Sequence, residues 1–134
     1  MTLKIRVIAP DKVVWDAEAE EIILPSSTGQ LGILTGHIPL LTALDIGVMR
    51  VRIEKEWKPI ILLGGFAEVK NNKITILVNG AEEINNPNID EAKNDLENAS
   101  KTLEDAETNK EKIEATQTLR KAKARLQAAI ISNN

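Results

Sequence analysis

Two hydrophobic rhythms divide this chain. Up to about Glu83 the period is two: Leu3, Ile5, Val7 and Ala9 alternate with Thr2, Lys4 and Arg6, and Val13, Trp15, Ala17 and Ala19 alternate with Val14, Asp16 and Glu18. Alternation puts successive side chains on opposite faces of a strand. At Glu21 and Ile22 the phase slips by one, which predicts a bulge or turn that restores the inner face. Further strands are predicted over residues 47–54, 57–63, 66–70 and 73–79. Lys55 with Glu56, and Asn71 with Asn72, are the predicted hairpin turns; Asn tolerates positive φ. The adjacent glycines of "LGGF", residues 63–66, lack dinucleotide-binding spacing and predict a kink or bulge. Many short strands with Gly and Asn punctuation mean a sandwich or a barrel.

The rhythm changes at "NNPNID". Residues 88–134 contain no Gly and no Pro. Ile89, Ala92, Leu96, Ala99, Leu103 and Ala106 recur at steps of three and four, the stripe of a helix. Asn88 with Glu91 three residues on reads as a capping-box start, and acids in the first turn suit the helix dipole. A second stripe runs Ile113, Thr116, Leu119, Ala122, Leu126 and Ala129, with the turn expected at Thr108 and Asn109. The expectation is an antiparallel hairpin. Half of the stripe positions are Ala or Thr, so its docking energy is small. Its charges are segregated. Seven acids lie between Asp90 and Glu107, none follows Glu114, and Arg120, Lys121, Lys123 and Arg125 fall within six residues. A charge run is ordinarily a solvated face; cations beside a thin apolar stripe also suit an acidic groove.

Composition removes whole classes of function. With 134 residues and 43% apolar content there is room for one core and an appendage. A net charge of −3 and a pI near 5.3 argue against a nucleic-acid partner. No cysteine is present, which removes disulfides and thiol chemistry. The start lacks a signal-peptide core, and no apolar run is long enough for a membrane helix. His37, the only histidine, has no second His or Cys for zinc. Ser26 and Ser27 in "PSSTGQ" do not form a nucleophile elbow, and no phosphate loop is present. No catalytic residue, metal or cofactor is expected, and an independent hydrolase built on His37 finds no partner residues.

"VIAPDKVVWDAEAEEIILPSSTGQLGILTGHIPLLTALDIGVMRV", "LLGGFAEV", "ITILVNGAEE" and the Ala-rich tail resemble the epsilon subunit family of F-type ATP synthase, in its chloroplast and cyanobacterial form. The resemblance implies an α+β fold: an N-terminal ten-stranded β-sandwich, residues 1–87, then a two-helix hairpin, residues 88–134. It implies a non-catalytic subunit in the central stalk, against the gamma subunit and the membrane rotor ring, coupling proton flow to ATP synthesis. The resemblance further implies that the helices inhibit ATP hydrolysis by reaching toward the catalytic head of alpha and beta subunits. The implied location is peripheral, on the stromal or cytoplasmic side of the thylakoid membrane. Gln30, Leu31, His37 and Ile38 then face the rotor ring or gamma, and Arg120, Lys121, Lys123 and Arg125 meet an acidic segment of the head. Related bacterial subunits often carry Glu in place of Gln30, which leaves His37 as the polar contact. Some bacterial relatives bind ATP through an Ile-Asp pair followed by Arg-Ala. Ile89 and Asp90 match, but Lys93 and Asn94 do not, and Lys cannot reproduce a bidentate Arg contact. A stand-alone nucleotide sensor is disfavoured on that ground.

Overall fold

The computed structural model describes residues 2–84 and 88–132. The expected domain boundary at residue 87 lies outside the described residues. Eight strands precede two helices: β1 (Leu3–Ala9), β2 (Lys12–Ala19), β3 (Glu21–Ser26), β4 (Gly29–Leu34), β5 (Leu40–Ile53), β6 (Glu56–Lys70), β7 (Lys73–Val78), β8 (Ala81–Glu83), α1 (Ile89–Asp105) and α2 (Asn109–Ser132). The order is β2-β1-β7-β6-β5-β3-β4, with β8 also on β6. Only β1–β7 is parallel among these pairs.

Two long strands turn this sheet into a sandwich. β5 and β6 pair along their whole length, from Leu40 with Val69 to Ile53 with Glu56. The inward residues of β6 are Ile60 and Leu62 before the bend, then Ala67 and Val69 after it. The phase flips at Gly64 and Gly65, whose φ values are +80° and +152°. β5 flips in step, from Leu44 to Met49 and Val51. One layer holds β2, β1, β7, the later half of β6 and the early half of β5. The other holds β8, the early half of β6, the later half of β5, β3 and β4. Strands that change layer at a bend are a known way to make sandwich corners. The expected count of ten becomes eight because hydrogen bonding runs through both bends; counting each half separately restores ten.

Several boundaries differ from the sequence reading. β4, the first seven residues of β5 and β8 are additional strands. The phase slip is the passage from β2 to β3 at Glu20, whose N–H donates to the Arg52 carbonyl at 2.8 Å. The first hairpin turn is Glu54–Lys55, one position earlier than expected, with φ of +52° and +71°. Asn71 and Asn72 hold φ of +52° and +62° as expected of such a turn.

The helices stack on the outside. Asn88 caps α1, its Oδ1 accepting from the Glu91 N–H at 3.0 Å. The interhelical turn is residues 106–108, and Thr108 caps α2: its Oγ1 accepts from the Glu111 N–H at 3.1 Å, while Glu111 Oε2 accepts from the Glu107 N–H at 3.0 Å. "TNKE" is a capping signature that sets this boundary. Ala124 and Ala128 pack on Val48 and Ile61, on the sheet's outer face, beside Leu63, Ile84 and Ile131. Ala115, Ala122 and Ala129, seven residues apart, are also buried and occupy the opposite side of α2, toward α1. Ile113, expected in the stripe, is 62% exposed.

Candidate interaction surfaces

The four residues expected at one surface fall at opposite ends of β4. Gln30 is exposed near its start, and its Oε1 accepts from an Arg50 guanidinium N–H at 3.2 Å. Leu31 is half-buried against the sandwich core. His37 and Ile38 lie past the other end, in a loop that Gly36 shapes with φ of +82°. The Gly36 N–H donates to Asn72 Oδ1 at 2.7 Å, fastening this loop to the β6–β7 turn. His37 N–H donates to the Leu34 carbonyl at 3.3 Å. Its ring Nδ1 sits 2.7 Å from the Ile38 carbonyl oxygen. A carbonyl only accepts, so Nδ1 carries the proton in this contact. His37 therefore braces its own loop.

Apolar side chains surround that loop. Ile38 is 74% exposed, Leu41 70% and Leu34 55%. On the outer face of the adjoining layer Phe66 and Leu77 are direct cross-strand partners, and both are exposed. Leu34 and Leu41 beside the loop, and Phe66 and Leu77 farther along β6 and β7, are exposed apolar residues that the sequence reading missed. A signal was present: with Ala67, Val69, Ile76 and Val78 inward, Phe66 and Leu77 occupy the outward phase, where a polar residue is expected.

Of the four cations clustered at residues 120–125 of α2, one is engaged by the sandwich. Arg120 and Lys123 point to solvent and make no ion pair among the described residues. Arg125 is engaged: its Nε donates to Glu82 Oε2 at 2.9 Å and a terminal nitrogen donates to Glu82 Oε1 at 2.7 Å. Such two-pronged contacts are the stronger kind of ion pair. The Arg125 hydrogen bond, then its charge and that of Lys121, hold the Glu82 carboxyl below its ordinary value, against partial desolvation. Arg125 is pushed up by Glu82 and, more weakly, by Asp95 of α1. Glu82 faces α2 because it pairs with Ile61, which α2 covers.

A cavity of about 790 Å³ opens near the end of α2, with Trp15, Trp57, Arg50, Lys58, Ile84 and Ile131 in its wall. Arg50 and Arg52 lie 6.0 and 5.9 Å from the Trp57 ring. Asp90 and Lys93 are exposed and line none of it. No cluster of three or more metal-ligating side chains occurs among the described residues.

Comparison with known proteins fits this two-part build. The family model of the ATP synthase delta/epsilon chain beta-sandwich domain matches residues 2–84, and that of its long alpha-helix domain matches residues 88–129. The chain belongs to the ATP synthase delta/epsilon chain family. The sandwich model thus spans β1 to β8, and the helix model spans α1 and most of α2. The chloroplastic ATP synthase epsilon chain of Gracilaria tenuistipitata var. liui is 72% identical over 134 residues, 100% of both chains. That of Pyropia yezoensis is 72% identical over 129 residues, 96% of each. The epsilon chain of Trichodesmium erythraeum is 59% identical over 132 residues, again 96% of each. These relatives are named as epsilon chains, and membership of this family makes the chain a non-catalytic subunit. A solved Euglena gracilis mitochondrial ATP synthase, described as OSCP/F1/c-ring, contains a chain of the same fold. Its TM-score is 0.81 at 20% identity, covering 96% of this chain and 81% of that one. No helix of the described residues is long and apolar enough to cross a membrane.

Proposed function

We propose that this chain is the central-stalk coupling and regulatory subunit of a photosynthetic F-type ATP synthase. In this reading the sandwich joins the gamma subunit to the membrane rotor ring, and the helical hairpin restrains ATP hydrolysis. Chloroplastic and cyanobacterial names among the relatives support a place at the thylakoid membrane, here assigned to its stromal or cytoplasmic side. The outward Phe66 and Leu77, with the loop of His37, Ile38 and Leu41, form the surface assigned to gamma and the ring. The cations of α2 are assigned to an acidic segment of the beta and alpha head.

One observation carries the reading: the sandwich core is closed without the helices, whereas α2 rests on the sheet mainly through small side chains, with Ile131 at its end. Ala124 and Ala128 give little area to separate, and apolar stabilisation scales with area. A hairpin held this way can leave and return without unfolding the sandwich. A chain ending at residue 87 is expected to melt as a cooperative β protein, to assemble with gamma and to inhibit hydrolysis less than the full chain. A molten truncated chain, or one that inhibits as strongly, would contradict the division of labour.

A further inference from the structure

In the folded hairpin Arg125 gives the Nε edge of its guanidinium to Glu82, Nε donating at 2.9 Å and one terminal nitrogen at 2.7 Å, which holds the side chain and its charge against the sheet. Lys121, one helical turn earlier, adds its charge to the field at the same carboxylate but makes no ion pair with it among the described residues. This is the one ion pair among the described residues that joins the hairpin to the sandwich. We propose that Glu82 is a decoy carboxylate, holding Arg125 in the docked hairpin so that it reaches an acidic partner surface only after α2 leaves the sheet. The proposal rests on the reading above that the hairpin moves; it adds which residues decide when.

The geometry makes Glu82 suitable. β8 has three residues, and their side chains alternate: Ala81 packs toward the sandwich core, while Glu82 stands on the outer face. Arg125 and Lys121 are four apart on α2, on the flank between its sheet-facing and α1-facing alanines. Asp95 of α1 contributes to the field at Arg125 but makes no ion pair with it among the described residues. Arg120 and Lys123 stay outside this arrangement. In the docked state they are the cations a partner meets first, and the Arg125–Glu82 exchange follows.

The test separates the latch from the function it serves. Hydrogen exchange of α2 amides is measured in the isolated full-length chain, and ATP hydrolysis in the assembled enzyme. Glu82→Gln keeps the shape and removes the charge. Its α2 exchange should rise several-fold, as expected when a partly exposed two-pronged pair is lost. Inhibition of hydrolysis should strengthen, because Arg125 is released. Arg125→Ala should raise exchange to the same degree but weaken inhibition, and Arg125→Lys should fall between wild type and Arg125→Ala. The double variant should exchange no faster than either single one, because each removes the same contact. Unchanged exchange in both single variants overturns the latch. Faster exchange with inhibition moving the same way in both overturns the sharing of Arg125. If the enzyme truncated at residue 87 is as inhibited as the full one, the regulatory reading fails by itself, whatever exchange shows.

Discussion

Gly65 is the residue the fold can least replace. Its φ of +152° is a conformation other residues rarely adopt, and a Cβ there would overlap the Leu77 carbonyl oxygen. Gly36 also has positive φ but nothing within 4 Å of a Cβ, so only backbone strain opposes a substitution there. Gly65→Ala is expected to cost more than about 3 kcal/mol, backbone strain and overpacking together. A urea melt of the isolated chain measures it. The opposite opportunity lies at Glu54 and Lys55, two ordinary residues held at positive φ. Replacing them by Asn and Gly, the pair such a turn favours, should stabilise the chain by about 1 kcal/mol. An unchanged or lower melting temperature would show that the native turn is not strained.

At the scale of elements, α2 is a helix between two partners, and its fully buried side chains are all alanines, with Ile131 partly buried at its end against the sheet. Large residues would give a hairpin that stays put; alanines bring the backbones close with little area to lose on release. The Arg125–Glu82 pair adds a charge-dependent share. Glu82 is held below its ordinary value near 4.5 by Arg125 first, with Lys121 also facing it. A carboxylate lowered in the folded state stabilises it above the unfolded pKa, and that stabilisation is lost as pH falls through the folded value. Protection of α2 should therefore decline on acidification below about pH 4.5, more than protection of β1 and β7. Glu82→Gln should remove that difference; an identical acid response in the variant would assign it to other carboxylates. Hairpin capping was half legible. Asn88 read correctly because a cap is a local signal, while "TNKE" carried the same signal and moved the turn to residues 106–108.

For the whole molecule, what matters is which surfaces remain unpartnered. Phe66 and Leu77 are 58% and 52% exposed, side by side on an outer face where alternation calls for polar groups. Changing either to Glu should leave the isolated chain within about 0.5 kcal/mol of its stability, as for surface substitutions generally. Assembly with gamma should weaken strongly, because a charge would be buried at the contact. Co-purification of the subunit with gamma, beside thermal melts of the free chain, distinguishes the two effects. Equal recovery of gamma would remove this face from the interface. The surface residues expected from sequence were only partly gathered. Gln30 and Leu31 lie one strand length from His37 and Ile38, because "GQLGIL" is a strand rather than part of a turn.

The sequence by itself determined where strands give way to helices, most of the strands and both helices, and which side of most strands faces inward. Those properties are set within a few residues: alternation, a Gly pair, an Asn pair, a cap. It did not determine that β5 and β6 run through both layers, because a bend and a break between strands share the same glycines. Only the hydrogen bonding of Leu44 with Gly65 and of Ile46 with Leu63 on either side distinguishes them. Nor did it divide the α2 cations. Six consecutive residues give four charges at nearly every angle around a helix, and all four look equivalent until a sheet covers one flank. Tertiary structure then placed Glu82, 43 residues away in sequence, against Arg125 and left Arg120 and Lys123 in water.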